Sequence, residues 1–252
     1  MIDLSGKHIF VVGGSRGIGA ASARMAAKAG AKVTVNYLRR ADAAQELVDE
    51  IEQAGGQGFA VQADASDEAS LKNAMQSAVE RLGELEGVVV SAGVYEGSPV
   101  EEMTVEFWDH IMAVNLRSTF LAVKTAVPHF RAQGRGGSIV IYTSTAGQGG
   151  SAGFSAYATS KAGQIIFMRS MASELAPLKI RVNCIAPAWT ETEMATEKID
   201  AIGRERVIAG FPLGRIGLPE DVAGATCFLL SDVALFITGT TVTVDGGMGM
   251  RG

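Results

Sequence analysis

The chain has few of the residues from which metal sites and disulfide frameworks are built. Among its 252 residues are two cysteines, Cys184 and Cys227, and three histidines, His8, His110 and His129. The cysteines are far apart and have neither metal-ligand spacing nor the number that a disulfide framework needs. The histidines are scattered along the chain, so the sequence predicts no metal site.

Long apolar runs and an excess of basic residues are also missing. No stretch approaches the roughly 20 apolar residues that span a bilayer, and residues 1–8 lack the apolar core of a signal peptide. A net charge of −5 and a pI near 5.3 argue against non-specific binding to nucleic acid. We therefore expect a soluble, cytoplasmic protein that binds neither membranes nor nucleic acid.

The chain does contain enough apolar sequence for a buried core, with 47% hydrophobic and 19% charged residues. Short apolar runs alternate with amphipathic stretches, a pattern that indicates βαβ units and a mostly parallel sheet. No repeat or flexible linker divides the chain. We predict one doubly wound α/β domain over residues 1–252, whose longest excursion, Thr190–Leu213, is a substrate-binding loop or lid.

This alternation predicts seven strands and six helices. The predicted strands are His8–Val12, Lys32–Asn36, Gly58–Ala63, Gly87–Ser91, Ser138–Ser144, Arg181–Ala186 and Thr240–Val244. The predicted helices are Gly17–Ala29, Asp42–Ala54, Glu68–Leu82, Val105–Phe130, Ala156–Leu175 and Pro219–Leu230. Asp42 is expected to be an N-cap, and Gly30 and Gly55 lie where helices end. Two glycine-rich stretches, 134–137 and 147–153, are predicted to be loops.

A glycine-rich segment follows the first predicted strand without a gap. It reads Gly13-Gly-Ser-Arg-Gly17-Ile-Gly19 and leads directly into a helix. Backbone amides in such a turn, with the helix N-terminus behind them, form a positive pocket for a pyrophosphate. The spacing departs from the general G-x-G-x-x-G fingerprint, and a purely structural turn is the alternative. Its position between the first strand and the first helix favours a dinucleotide site.

The residues after the second predicted strand bear on which dinucleotide is bound. NAD enzymes usually have an acidic residue here to hold the ribose 2′-hydroxyl, but this chain has no carboxylate before Asp42. Arg39 or Arg40, together with Arg16, would clamp a 2′-phosphate. The alternative is that these arginines are solvated at a strand–helix corner. We predict NADPH rather than NADH, while Asp64, after the third strand, either meets the adenine or caps a helix.

Tyr157 and Lys161 form the candidate catalytic pair. Four residues apart on a predicted helix, their side chains share one face. The pKa of a free phenol is about 10, and a neighbouring ammonium lowers that pKa toward the working range. A chance spacing on a surface helix is the alternative for this pair alone.

Further short motifs occur along the chain in the order of a known family. They are Gly13-x-x-x-Gly17-Ile-Gly19, Asp64, Ala92-Gly93, Asn115, Ser144, Tyr157-x-x-x-Lys161, Pro187, Thr192 and Asp245-Gly-Gly247. With this set, the chain resembles the short-chain dehydrogenase/reductase family over essentially its full length. The resemblance implies a Rossmann-like sheet of seven parallel strands in the order 3-2-1-4-5-6-7, with helices on both faces. Segments 183–187, 212–220 and 238–247 are similar to the 3-oxoacyl-[acyl-carrier-protein] reductase type.

The resemblance also implies a role for each residue of the set. Tyr157 donates a proton to the carbonyl oxygen as hydride arrives from the nicotinamide. Lys161 lowers the Tyr157 pKa and holds the nicotinamide ribose, while Ser144 hydrogen-bonds the substrate oxygen. Asn115 supports a water chain that reprotonates the site through Lys161. The implied cofactor-binding residues are Gly13, Ser15, Arg16, Gly17, Ile18, Gly19, Tyr37, Arg39, Arg40, Asp64, Ala65, Ala92, Gly93, Tyr157, Lys161, Pro187, Thr190 and Thr192.

For the catalytic residues, a structural role is the alternative to each implied one. Ser144 would then cap a helix, Lys161 would be solvated, and the buried amide of Asn115 would satisfy backbone groups.

Four departures from the family pattern bear on affinity and substrate shape. Val12 replaces the usual Thr before the first glycine, and Val90-Ser91 replaces two asparagines. Tyr142-Thr143 replaces smaller residues before Ser144, and Ala188 replaces a glycine. None of these positions belongs to the proton-transfer set, so the reaction class is unaffected.

The sequence narrows the substrate only to a class. The expected pocket walls are Gln148, Gly150, Ser151, Phe154, Trp189 and residues of Thr190–Leu213. This mixture has no obvious anchor for a carboxylate or phosphate, which suggests an apolar or neutral carbonyl compound. An acyl-carrier protein, a possible partner, would require a basic patch beside the site. Four residues either supply that patch or are scattered surface charges: Arg131, Arg135, Arg169 and Lys179.

We therefore expect an NADPH-dependent oxidoreductase that reduces a ketone or 3-oxoacyl carbonyl to a secondary alcohol. One alternative is an NAD(P)-dependent alcohol or sugar dehydrogenase working in the oxidative direction. Another is a non-catalytic nucleotide-sensing protein that kept the fold. In this family the helices that correspond to Glu106–Val127 and Ala156–Leu175 form a dimer interface, and C-terminal strands complete tetramers. The resemblance thus implies a homotetramer.

Overall fold

The centre of the computed structural model, which describes residues 2–250, is a parallel sheet of seven strands. The strands are β1 (His8–Val12), β2 (Lys32–Tyr37), β3 (Gln57–Gln62), β4 (Gly87–Val90), β5 (Gly137–Tyr142), β6 (Ile180–Pro187) and β7 (Thr241–Val244). Their order across the sheet is β3-β2-β1-β4-β5-β6-β7, and every neighbouring pair is parallel. The strand number and order that the resemblance implied are confirmed.

Helices cover both faces of this sheet. They are α1 (Gly17–Lys28), α2 (Ala41–Gln53), α3 (Glu68–Leu82), α4 (Val105–Ile111), α5 (Ser118–Gln133), α6 (Thr145–Gly149), α7 (Ser155–Leu175), α8 (Glu193–Ile202), α9 (Arg204–Ile208) and α10 (Pro219–Leu230). A π-helical segment, Met112–Arg117, joins α4 to α5. Short 3-10 turns occupy Ala176–Leu178, Asp232–Ala234 and Met248–Met250.

The composition of the strands explains this layering. Every residue of β1, β4 and β6 is buried, so these strands need cover on both faces. One apolar cluster joins the sheet to α3, α5 and α7 and includes Met75 and Met168. The other joins the sheet to α1, α2 and α10 and includes Leu47 and Leu229. The sheet is therefore the middle layer between two separate apolar cores.

The chain changes direction within the sheet at β1. Strands β2 and β3 are added on one side of β1, and β4 to β7 are added on the other. The connections that leave β1 and β4 diverge, which opens a crevice at the carboxyl ends of these two strands. The loop that starts at Gly13 and the segment that starts at Ser91 flank this crevice.

Two predictions of secondary structure are wrong. The predicted helix Val105–Phe130 is divided, because Met112–Arg117 form π-helical rather than α-helical hydrogen bonds. The predicted loop 147–153 is helical at its start, where it forms part of α6. The Ser144 hydroxyl accepts a hydrogen bond from the Ala146 amide at 3.1 Å, and this N-cap supports a helical turn in a glycine-rich segment.

The predicted helix ends fare differently. Asp42 is not an N-cap, because α2 begins one residue earlier and the Asp42 carboxylate accepts from the Arg40 guanidinium. Gly30 and Gly55 follow the last residues of α1 and α2 with φ angles of +95° and +85°. Glycine adopts this conformation without strain, so these two predicted helix ends are confirmed.

Among residues 2–250, no helix combines the length and apolar character that crossing a membrane requires. The same residues contain no group of three or more His, Cys, Asp or Glu side chains that could hold a metal ion. Cys184 and Cys227 are both buried free thiols.

Candidate active site

A cavity of about 970 Å³ opens at the carboxyl edge of the sheet, in the crevice beside β1 and β4. Most of the predicted site residues line it, namely Gly13, Ser15, Arg16, Gly17, Ile18, Tyr37, Arg39, Arg40, Asp64, Ala65, Ala92, Gly93, Ser144, Tyr157, Lys161, Pro187, Thr190 and Thr192. Gly19 and Asn115 lie just outside this lining, next to Gly13 and Val94. One cavity therefore collects residues that are spread along most of the chain.

The loop after β1 is shaped by glycines that accept no side chain. Gly13 has a φ of +72°, and a Cβ atom there would lie 2.7 Å from the backbone of Ala92. A Cβ atom on Gly19 would lie 2.5 Å from the carbonyl oxygen of Gly13. The loop thus folds tightly against the end of β4 and leads into α1, whose N-terminal amides suit an anion.

Asn36 is a site residue that the sequence analysis did not single out. The Gly13 amide donates to its Oδ1 at 3.2 Å, and its Nδ2 donates to the carbonyl of Ala63 at 3.2 Å. This buried amide near the end of β2 therefore ties the glycine loop to the segment after β3. The available signal was an amide side chain near the carboxyl end of this strand.

The predicted 2′-phosphate residues lie at the cavity but are engaged by carboxylates. Arg40 contacts Asp42 at 3.2 Å, and Arg16 contacts Glu193, the first residue of α8, at 3.4 Å. These are exposed ion pairs, which contribute little to stability and exchange partners easily. Arg39 lines the same part of the cavity.

Asp64 does not cap a helix. Its Oδ1 accepts hydrogen bonds from the amide and hydroxyl of Ser66, at 2.8 and 2.7 Å. The N-cap of α3 is instead Asp67, whose carboxylate accepts from the Ser70 amide. Of the two roles that the sequence left open, helix capping is therefore excluded.

Tyr157 lies in the first turn of α7, with its phenol at the cavity. Burial raises the pKa of Tyr157 to about 12, and a hydrogen bond with Ser144 acts in the opposite direction. Ser144 therefore serves two groups at once, because its hydroxyl also caps α6. The phenol is protonated at neutral pH, which is the state that a proton donor needs.

Lys161 is one turn further along α7 and is almost fully buried. Its Nζ donates to the carbonyl of Tyr142 at 2.8 Å and lies 5.8 Å from the centre of the Tyr157 ring. Burial lowers the pKa of Lys161 to about 8. The expected lowering of the Tyr157 pKa by this ammonium is not found, since burial raises the pKa of the phenol and the group that acts against burial is Ser144 rather than Lys161. Nor is Lys161 the solvated side chain that was the alternative.

Asn115 lies within the π-helical segment and is fully buried. Its Oδ1 accepts from the Val94 amide at 2.8 Å, and its Nδ2 donates to the Ser160 hydroxyl at 3.0 Å. A Cβ atom on Gly93 would lie 3.0 Å from that Oδ1 and 3.5 Å from Lys161 Nζ. Asn115 thus fastens the segment after β4 to α7, beside Lys161.

One of the four departures from the family pattern, Tyr142-Thr143, has a structural role. The Tyr142 hydroxyl is within 2.6 Å of the Ser22 hydroxyl and 2.7 Å of the Thr226 hydroxyl. The Thr143 hydroxyl donates to the carbonyl of Lys161 at 2.7 Å. Together they bind the end of β5 to α1, α10 and α7, so the larger side chains anchor the segment that carries Ser144.

The predicted substrate walls are only partly correct. Gly150, Ser151 and Trp189 line the cavity, but the Gln148 side chain contacts Thr243 instead. Phe154 does not line the cavity itself; it stacks on Tyr95, which does. Tyr95 was missed because a single aromatic residue in an irregular segment carries no periodic signal.

The four basic residues do not form a patch beside the cavity. Arg135 pairs with Glu84 and Glu86, and Lys179 directly precedes β6. Both therefore lie at the amino edge of the sheet, opposite the cavity. Arg131 and Arg169 are in the second halves of α5 and α7, which run toward that same edge. The interpretation as scattered surface charges is the one that the structure favours.

Comparison with known proteins agrees with this geometry. Residues 12–249 match the family model described as enoyl-(acyl carrier protein) reductase. A solved short-chain dehydrogenase/reductase from Serratia marcescens is 36% identical, with a TM-score of 0.91 over 98% of this chain and 99% of that one. The chain belongs to the short-chain dehydrogenase/reductase family.

Curated relatives of this short-chain dehydrogenase/reductase are of several kinds. The 3beta-hydroxysteroid dehydrogenase 1 of Eggerthella lenta is 38% identical over 247 residues, which are 98% of this chain and 95% of that protein. The 3-oxoacyl-[acyl-carrier-protein] reductase of Synechocystis sp. is 37% identical over 251 residues, 99% and 100% of the two chains. The protein is therefore an oxidoreductase with a nicotinamide cofactor, similar to the 3-oxoacyl-[acyl-carrier-protein] reductase type.

The cavity fits a dinucleotide in shape and in chemistry. At the loop after β1, a Cβ atom on Gly17 would lie 3.4 Å from the Thr192 side chain, and both residues line the cavity, so a glycine there leaves room for a ligand. The amides at the start of α1 suit a pyrophosphate. Lys161 suits ribose hydroxyls, since its Nζ lies beside Gly93 at the cavity wall. The residues present thus fit the cofactor that the family uses.

Proposed function

We propose that this short-chain dehydrogenase/reductase uses NADPH to reduce the carbonyl of a ketone or 3-oxoacyl compound to a secondary alcohol. The observation that carries the proposal is that the Tyr157 phenol and its partner Ser144 both line the cavity, and burial keeps this phenol protonated at neutral pH. A buried lysine one turn along the same helix can supply the next proton. This arrangement suits proton delivery to a developing alkoxide.

Each residue of the site would have a separate task. The reduced nicotinamide, when bound, supplies a hydride to the carbonyl carbon. Tyr157 gives its phenolic proton to the carbonyl oxygen, and Ser144 orients that oxygen through a hydrogen bond. Lys161, with a pKa of about 8, is mostly an ammonium at neutral pH and passes a proton back to the phenolate. Asn115 would support this return by holding the cavity wall against α7.

The preference for NADPH rests on charge at the adenosine end of the cavity. Arg16, Arg39 and Arg40 line this region, and β2 ends without the carboxylate that would repel a 2′-phosphate. Saturating NADPH should therefore raise the melting temperature more than NADH does, because tighter binding stabilises the folded state more. Greater stabilisation by NADH would contradict this assignment.

The reaction itself is tested by following cofactor absorbance with a panel of ketones and alcohols and both nicotinamides. Ketone-dependent oxidation of NADPH is the expected result. The same groups would also catalyse the reverse reaction, and the relative from Eggerthella lenta carries a dehydrogenase name. Activity only with alcohols would favour this oxidative alternative. Cofactor binding without any turnover would favour the non-catalytic, nucleotide-sensing alternative.

The segment Thr190–Leu213 is proposed to be the lid over the substrate. It contains α8 and α9, and its residues Ala195, Ile199 and Val207 belong to a small apolar cluster apart from the two main cores. Its base is closed by an isolated bridge between Thr190 and Gly217. A segment with its own small core can shift as a unit without disturbing the sheet.

Assembly into a homotetramer is proposed from the exposed apolar surface of α5 and α7. Phe120 and Ile166 on these helices are 45% and 60% exposed. Arg131, on the flank of the groove between the helices, would then lie at a subunit boundary. An acyl-carrier protein is proposed as a partner only because the chain is similar to 3-oxoacyl-[acyl-carrier-protein] reductases. Sedimentation as a monomer would contradict the tetramer.

A further inference from the structure

The wall of the cavity beside the proton donor is built from aromatic rings. Tyr95, in the segment after β4, lies edge-to-face with the catalytic Tyr157, with ring centres 4.8 Å apart and planes at 66°. It is also perpendicular to Trp189, at 5.6 Å and 80°. All three residues line the cavity. A carbonyl group held at Tyr157 therefore has its substituents next to the corner that the two perpendicular rings of Tyr95 and Trp189 form.

The Tyr95 ring is fixed from behind. Phe154 stacks on it with ring centres 4.7 Å apart and planes within 15°. A side chain on Gly97 would meet the Phe154 ring at 2.7 Å, so a glycine there permits the stack. Because its neighbours hold it in one orientation, the part of Tyr95 that lines the cavity is preformed, so little entropy is lost there on binding.

Lys198 adds a second restraint from the proposed lid. Its Nζ lies 3.9 Å from the centre of the Tyr95 ring and 5.1 Å from that of Phe154. The same ammonium donates a hydrogen bond to the Tyr95 carbonyl. Lys198 is therefore already paired, and it holds the aromatic wall against α8.

This wall points to a class of substrate. Two perpendicular rings receive a flat ring well, because one can stack on it while the other meets its edge. A flexible alkyl chain gains only dispersion contacts there and loses rotational freedom. We propose that the site takes a carbonyl compound that carries an aromatic ring next to the carbonyl, and that Tyr95 is the residue that selects it. The proposal rests on the carbonyl reduction inferred above and narrows its substrate.

Two ketones of equal carbon number test this preference. Acetophenone and octan-2-one each have eight carbons and a methyl ketone, but only acetophenone has a ring. With NADPH, we expect kcat/KM for acetophenone to exceed that for octan-2-one roughly tenfold, as two ring contacts would give. Equal values, or a preference for the alkyl ketone, would overturn the substrate class.

Variants at Tyr95 test whether this residue selects the aromatic substrate. Tyr95→Leu should bring the ratio of the two kcat/KM values to about one, whereas Tyr95→Phe should keep it, because the ring remains. An unchanged ratio in Tyr95→Leu would overturn the role of Tyr95. Thermal unfolding and NADPH binding show whether each variant is folded; if Tyr95→Leu is not, Trp189→Leu removes the other ring and should lower the ratio as well.

Lys198 is a positioning residue in this scheme. Lys198→Met should raise the KM for acetophenone more than it lowers kcat, while the KM for octan-2-one and the affinity for NADPH stay unchanged. Equal effects on both ketones would mean that Lys198 acts on the lid in general, against the proposal. If the wild-type enzyme binds NADPH but turns over no compound of the wider panel, the proposed reaction fails; if it reduces carbonyl compounds without favouring acetophenone over octan-2-one, only the aromatic preference fails.

Discussion

The polar groups at the two edges of the sheet differ in where their partners lie. At the amino edge, His8 at the start of β1 is bonded to Gly83 and Thr34, and the Ser138 hydroxyl donates to the Leu229 carbonyl at 2.9 Å. At the carboxyl edge, Tyr157 and Lys161 face a cavity. Polar groups whose partners lie within the chain stabilise the fold, whereas those at a cavity can act on a ligand. Changes at the two edges should therefore separate stability from activity.

The largest effect is expected at the carboxyl edge, from Tyr157→Phe. Loss of the phenolic proton should lower kcat by about a thousandfold, in the range found for general acids. The affinity for NADPH and the melting temperature should barely change, because the ring is kept. Steady-state kinetics with cofactor titration checks this. Turnover close to that of the wild type would remove Tyr157 from the proton-transfer step.

The next effect belongs to the amino edge and is a pH dependence of stability. Burial lowers the pKa of His8 to about 4, whereas an unfolded His has a pKa of about 6.5. Above pH 6.5 both states are neutral. As the pH falls from 6.5 to 4, only the unfolded chain takes up the proton, so the free energy of unfolding falls by about 3 kcal/mol. Below pH 4 this contribution is constant.

Denaturant unfolding of the wild type and His8→Gln across this pH range isolates the effect. The variant should lose stability less steeply between pH 6.5 and 4, because the titrating group is gone. Its activity at neutral pH should match that of the wild type. Parallel curves for the two proteins would mean that His8 does not titrate in this way, and a loss of activity would break the separation of the edges.

The smallest effect tests a contact within the carboxyl edge. Glu193 pairs with Arg16, so it competes with any phosphate that this arginine binds. Glu193→Gln should tighten NADPH binding about threefold, the size of an exposed ion pair, and leave NADH binding unchanged. Glu197→Gln, one turn along α8, is the matched control and should change neither. Equal tightening of both cofactors would show that Arg16 does not contact the 2′-phosphate.

Those parts of the fold with strong periodicity could be predicted from the sequence. The bounds of β1, α3 and α10 agree with the predicted His8–Val12, Glu68–Leu82 and Pro219–Leu230, because apolar spacing and turn residues act together there. The site residues followed from short motifs, whose chemistry depends on a few neighbours. Proximity across the fold was harder to predict. Asn36 and Tyr95 act through residues distant in sequence, which no local pattern reveals.

Electrostatic predictions were limited for a related reason. The sequence places an ammonium near a phenol but does not say how deeply either is buried. In the structure burial raises the pKa of Tyr157 and lowers that of Lys161, so desolvation decides both. How deeply a side chain is buried depends on every element that packs around it, whereas the spacing of two side chains on one helix depends only on the local sequence.

The π-helical segment Met112–Arg117 also determines how far the side chains of α5 are rotated about the helix axis relative to those of α4. A π turn holds one residue more than an α turn, and each helical residue advances about 100°. Every residue after the segment is therefore rotated by about that angle from where an uninterrupted helix would put it. A deletion of one residue just before Asn115 would restore a regular helix and rotate Asn115 away from its contact with Ser160 on α7, although every side chain of the motif would still be present. What matters at this position is the rotation of the helix about its own axis, and the order of residue types in the sequence does not show that rotation.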